Sequence, residues 1–248
     1  MMRIHVPPQH GAWAFLLVPL ILAGFLGAAT PVGLLFAVTW VLAYPVSYFG
    51  SRAVMTRMRR HEWSRIAVRE RTEAIPWLVL FVLAAIPLVV LRPWLVIAGI
   101  GVGAVWLVSA WLTWIGRERG IANDLVLVVL SAVAVPLMWM AAQDSFAVPS
   151  DIWMATAVTA ASFVGSVLHV KSLIREADDR RWHIASIVYA VAAALAAPFV
   201  SWWLLPAFAG GAVRTIVMKP GLRPGIIGAV EAVMSLLVIA GVVLATRL

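Results

Sequence analysis

The stretch APFVSWWLLP, residues 197–206, decides how many times this chain crosses a membrane. Apolar sequence runs on either side of it. Pro198 and the Trp202-Trp203 pair mark either a tight turn between two spans or a kink in one long helix. The charges elsewhere choose between these. A single helix through this stretch would put Arg214, Lys219 and Arg223 on the opposite side from nearly every other basic residue. A turn divides the chain into nine spans, and then every Lys and Arg except Arg92 and Arg247 falls on one side. Nine helices therefore fit better than eight. The positive-inside rule then places the N-terminus in the cytoplasm and the C-terminus outside.

The composition asks for this architecture. Of 248 residues, 63% are hydrophobic and only 12% charged, with a mean hydropathy of +0.99, far from the values of a soluble domain. Breaking the chain at charges, Pro and Gly leaves apolar runs of about 20 residues, the length that spans a bilayer. They fall near 10-29, 32-51, 74-91, 93-115, 121-142, 151-172, 183-199, 201-218 and 224-246. The expected fold is all-α, a polytopic membrane helical bundle forming a single integral membrane domain over 1-248. The segment from Ala12 to Ala28 reads as the first span and not as a secretory signal, since a second span follows almost at once. With no cysteine, disulfides, thiol chemistry and His/Cys zinc sites are excluded. The net charge of +8 belongs to membrane orientation, so the expected partners are membrane lipids and not nucleic acid. Trp77, Trp94, Trp114, Trp139, Trp153, Trp182, Trp202 and Trp203 lie near span ends, as interfacial anchors do.

Polar residues gather at the cytoplasmic ends of the spans. Gln9 and His10 open the first, Arg52 closes the second, and Asn123 and Asp124 open the fifth. His169, Lys171, Ser172 and Arg175 close the sixth, Arg214 closes the eighth, and Glu231 sits about two turns inside the ninth. Ionisable groups at such depth are expensive and mark functional sites. Each also has a plainer explanation. Arg52, Lys171 and Arg214 can snorkel to headgroups, Asn123 or Asp124 can cap a helix, His10 can satisfy a carbonyl, and Glu231 can form a structural ion pair.

In SVLHVKSLIREADDRRW, residues 166–182, a helix continuing past the membrane would align Lys171, Arg175 and Asp178 beside a row of Ser172, Glu176 and Asp179. That pattern reads either as a salt-bridged helix end or as an anion site, with Lys and Arg on phosphate oxygens and Glu176, Asp178 and Asp179 available to a divalent metal. The basic stretch RAVMTRMRRHEWSRIAVRERTE, near 52-73, carries Met55, Met58, Trp63 and Ile66 on one helical stripe. It reads as a cytoplasmic amphipathic loop, a surface helix on anionic lipid.

The segments PPQHGAWAFLLVP (7–19), RERGIANDL (117–125), FVGSVLHVKSLIRE (163–176) and KPGLRPGIIGAVEAVMSLL (219–237) together resemble the YwiC-like family of bacterial integral membrane proteins. A weaker, partial resemblance links the chain to UbiA-type prenyltransferases, which have nine helices, an inside N-terminus and polar clusters at the cytoplasmic ends of helices two and six. That likeness implies a cavity for an isoprenoid phosphate, transferase chemistry and Mg. The sequence departs from it in two respects: helix two is followed by no acid until Glu62, so the first Asp-rich motif is absent, and at the end of helix six basic residues precede the acids, where Glu176, Asp178 and Asp179 match the second motif only loosely.

The reading that follows is a membrane protein whose cytoplasmic-facing polar cavity binds an anionic, phosphate-bearing lipid, isoprenoid in the UbiA-like case. Arg52, Lys171, Arg175 and Arg214 are the anion-binding candidates, and His10, Asp124 and Glu231 the catalytic ones. The alternative is a transporter or lipid flippase for an anionic solute, with Glu231 and His10 carrying protons.

Overall fold

The structure, a computed structural model, describes Pro7, residues 10–60 and residues 63–248, without the side chains of residues 10–12 and 59–60. The described residues are helical almost throughout and contain no strand. The helices are α1 (His10–Ala23), α2 (Pro31–Arg60), α3 (Arg65–Leu91), α4 (Leu95–Trp114), α5 (Ile121–Ala132), α6 (Ala134–Gln143), α7 (Ser150–Val170), α8 (Arg180–Val200), α9 (Leu205–Val217) and α10 (Pro224–Arg247). Seven segments are long and apolar enough to cross a membrane, α5 and α6 counting as one. Two shorter apolar ones, Trp13–Ala28 and Trp202–Val217, lie at the positions of the first and eighth expected spans.

At Ser201 the chain turns. Its backbone is extended, and its hydroxyl accepts from the Trp203 amide at 3.3 Å, starting a short helical turn over Trp202–Leu204 that leads into α9. Helices α8 and α9 pack against each other as an antiparallel pair. Gly241 of α10 passes so near this turn that a Cβ there would lie 2.8 Å from the Trp203 carbonyl oxygen. The absence of a side chain at 241 is what permits the approach. Pro136 lies just beyond the α5–α6 junction. Its missing amide removes the bond to Ala132, which accounts for the break in an otherwise single span.

Helix α1 sits in the middle, touching α2, α5, α6, α7 and α10, while α3 and α4 lie at the periphery, each packed mainly on one neighbour, α2 and α5 respectively. The buried core contains Leu22, Ala23, Ala134, Val135, Met138, Ala155, Leu204 and Val242. Beside it, Val18, Val128, Phe163 and Ile239 form a second cluster, with Phe15 stacked on Phe163 at 4.2 Å. Outward faces stay apolar: Leu83, Ile86 and Val90 on α3 and Ile97, Ile100 and Leu107 on α4 are exposed. Apolar surface of that extent suits a lipid solvent.

The region near 52-73 is not one surface helix. Helix α2 continues to Arg60, and α3 begins at Arg65 with the Ser64 hydroxyl accepting from the Ala67 amide. The two form a long helical hairpin. At 1.5 Å per residue α2 is roughly 45 Å long, against a hydrocarbon core of about 30 Å, so the basic stretch is made of the two helix ends that outrun the span.

Candidate functional site

Polar side chains collect at two ends of the bundle. At one, Arg92 pairs with Asp144 at 3.2 Å and donates to the Ala141 carbonyl at 2.9 Å, Gln143 donates to the Gly27 carbonyl at 2.8 Å, and Arg247 reaches the Phe25 carbonyl. These contacts tie helix ends together. The other end carries the remaining sequence candidates, apart from His10, whose side chain lies outside the described residues, as does Gln9.

There the helix does not continue as the sequence pattern expects. Beyond Val170, α7 widens into one looser turn over Lys171–Arg175, where the Glu176 amide donates to the Lys171 carbonyl at 2.8 Å, and the helix stops. The two aligned rows of opposite charge therefore do not form. Lys171 is almost fully buried. Its ammonium donates to the Arg119 carbonyl at 2.7 Å, lies 3.7 Å from Glu176, and sits over the Trp182 ring at 4.9 Å. Arg175 meets Asp124 of α5 at 3.3 Å. Asp124 is an ion-pair partner and not a cap, and Gly120 stands at the N-cap position without a side-chain bond. Asn123 accepts from Ser109 at 2.6 Å and donates to the Glu118 carbonyl at 2.9 Å. Together these contacts clamp the α4–α5 connection onto the end of α7.

The three acids at 176, 178 and 179 are placed differently from a metal ligand set. Glu176 faces Lys171, and the Asp179 carboxylate caps α8 by accepting from the Arg181 amide at 2.9 Å. Among the described residues no three His, Asp or Glu side chains converge as ligands. The described residues do not form the paired acidic clusters that would hold Mg between them. Arg52, on the α2–α3 hairpin, pairs with Glu70 at 3.1 Å and lies near the Tyr48 hydroxyl at 3.3 Å. The four anion-binding candidates thus do not share one pocket; each has an acid of its own.

Arg214 is different in its surroundings. It lies within the bundle, its side chain only 9% exposed, and its guanidinium is paired with Glu231 of α10. The Ser166 hydroxyl of α7 donates to the other Glu231 oxygen. The fully buried His169 ring, one turn further along α7, has Nε2 4.0 Å from the same carboxylate. Among the described residues neither His169 ring nitrogen has a hydrogen-bond partner. The same holds for His183 Nδ1 and the Ser186 hydroxyl on α8. A half-open crevice of about 50 Å³ between α7, α8, α9 and α10 leads to this pair, walled by Gly165, Ala190, Ala193, Gly211 and Met234. That volume is enough to admit water. Tyr189 closes one wall and donates to the Ala161 carbonyl at 2.7 Å.

Sequence reading singles out Glu231 and Arg214 and passes over Ser166, His183 and Ser186. A signal for them exists: Ser166 and His169, like His183 and Ser186, are spaced i, i+3, which puts each pair on one helix face.

A bundle of apolar helices with charged groups sealed between four of them is the construction of a multi-pass membrane protein. The family model described as YwiC-like protein matches residues 6–139, more than half of the chain, and the protein belongs to that family. The match takes in α1 to α5 and most of α6, including Asn123 and Asp124; Arg214 and Glu231 lie beyond it. No curated protein and no solved structure matches the chain significantly.

Proposed function

We propose that this protein lies in a bacterial cytoplasmic membrane, N-terminus inside, and binds an anionic, phosphate-bearing group, that of an isoprenoid or related lipid, at Arg214. One observation carries the reading: Arg214 is a buried guanidinium inside an otherwise largely apolar crevice between membrane helices, while Arg52 and Arg175 are paired near the surface. A guanidinium recognises phosphate by parallel N–H bonds. The outward faces of α8 and α9, with Val188, Leu195, Val213 and Val217 exposed, offer apolar surface to a tail. The basic end of the bundle supports the orientation, since seven arginines lie in the α2–α3 hairpin alone.

A second reading, a carrier that moves the anion, is favoured by a different observation: Glu231 and His169 stand side by side within membrane helices, where proton carriers are found. Mass spectrometry of lipids retained by protein purified in mild detergent separates the two. The lipid reading expects a polyprenyl phosphate enriched with the wild type and lost from Arg214→Gln. Identical bulk phospholipids in both samples would overturn it. Phosphate uptake by proteoliposomes would then support the carrier.

A further inference from the structure

We infer that Glu231 is the exchangeable partner of Arg214: an incoming anion takes its place on the guanidinium while Glu231 accepts a proton, so that the ligand enters as an anion accompanied by one proton. This rests on the reading of Arg214 as the anion-binding residue and adds how the site is emptied and filled.

The crevice sets the terms. The crevice beside the ion pair is small, about 50 Å³, and the Arg214 guanidinium is already engaged by Glu231, so an anion that takes the guanidinium displaces that carboxylate. Glu231 is held by Arg214 from α9 and by Ser166 from α7. Withdrawn as a carboxylate, it would be a second negative charge among four apolar helices, which is costly without a cation of its own. Withdrawn as a carboxylic acid, it is neutral and can itself donate a hydrogen bond. The charges balance: the guanidinium keeps its proton, the anion replaces the carboxylate, and one proton from the solution becomes the O–H of Glu231.

The surroundings supply few competitors for that proton and one route to it. Helix α7 presents His169, α9 presents Arg214, and the turn over Trp202–Leu204 presents no ionisable group. The only titratable residue of α1, His10, has a side chain outside the described residues. On α8, Tyr189 is committed to the Ala161 carbonyl. His169 lies 4.0 Å from Glu231, and His183, on α8, is within electrostatic range of His169. All three ring nitrogens among them that are buried and unpartnered, His169 Nδ1 and Nε2 and His183 Nδ1, are atoms that can accept or pass a proton. His183 lies in the first turn of α8.

The test is calorimetric titration of the full chain in detergent with farnesyl phosphate and, separately, with inorganic phosphate, each in two buffers of different ionisation heat at one pH. The wild type is expected to take up about one proton per ligand, and Glu231→Gln to bind with no such uptake. Ser166→Ala, which keeps the carboxylate, is expected to retain it. Should Glu231→Gln not fold, an infrared difference spectrum of the wild type alone decides: ligand addition should produce a carboxylic-acid C=O band, which distinguishes a proton on Glu231 from one on the phosphate. Binding without proton uptake, or with equal uptake in Glu231→Gln, overturns this inference and leaves the anion reading standing. Failure of both probes to bind overturns both. Tight binding of farnesyl phosphate with none of inorganic phosphate, or the reverse, assigns the source of the anion.

Discussion

Lys171 is a buried cation with a structural task of its own. Its ammonium is occupied by the Arg119 carbonyl, Glu176 and the Trp182 ring, so its work is to hold the α4–α5 connection against α7. Lys171→Ala removes a charge-assisted hydrogen bond and orphans a carbonyl, which should cost about 1–3 kcal/mol. A clear drop in the thermal unfolding midpoint in detergent is the expected result. A midpoint unchanged within error would mean that the clamp contributes nothing. Arg175 and Asp124 make the contrasting case. The arginine is substantially solvent-exposed, and a double-mutant cycle of Arg175→Gln with Asp124→Asn should give a coupling of less than about 1 kcal/mol. A coupling several times larger would contradict the surface character of that pair. Glu231 was legible from the sequence because an acid in an unbroken apolar run has no cheap explanation. Its partner is not legible there, since nothing in the spacing tells which helix faces α10.

At the scale of elements, the turn at Ser201 and the glycine opposite it form one device. Helix α10 comes within a Cβ of the Trp203 carbonyl at Gly241, so Gly241→Val should push α10 from the α8–α9 turn and destabilise the fold by about 1–3 kcal/mol. Gly225, which has nothing within 4 Å of an added Cβ, is the control: Gly225→Ala should leave the unfolding midpoint near wild type. Equal effects at both positions would refute the close-approach account. The turn itself was legible, because charge distribution demands an odd number of crossings whatever the local propensity of the stretch. The end of α7 was not. Residues 171–179 carry a good helical charge pattern, yet the chain leaves the helix after a widened turn whose lysine is anchored to another loop. Tertiary contact overrides pattern there. The α2–α3 hairpin failed for the opposite reason: an amphipathic stripe across 52–73 is equally consistent with one helix or two helix ends, and only the Ser64 cap separates them.

For the molecule as a whole, the described residues give the bundle one end rich in Arg and Lys, with Arg92 and Arg247 at the other. A chain without cysteine suits a direct test of which end faces the cytoplasm. A cysteine at Arg117 should react with a membrane-impermeant maleimide only after the cells are opened, and one at Phe146, exposed in the α6–α7 connection, should react in intact cells. The reverse pattern would overturn the orientation. The apolar helices could be read from length and their division near Ser201 from charge, whereas the convergence of α7, α8, α9 and α10 around Arg214 and Glu231 could not, because packing between lipid-soluble helices leaves little trace in hydropathy. That convergence carries the functional account. The measurement that tests it most directly is the affinity for farnesyl phosphate in detergent of the wild type, Arg214→Gln and Arg52→Gln, each checked for folding. The account predicts a loss of tenfold or more, about 1.4 kcal/mol, for Arg214→Gln and an affinity near wild type for Arg52→Gln. Equal affinities in all three proteins, or a loss confined to Arg52→Gln, would contradict it.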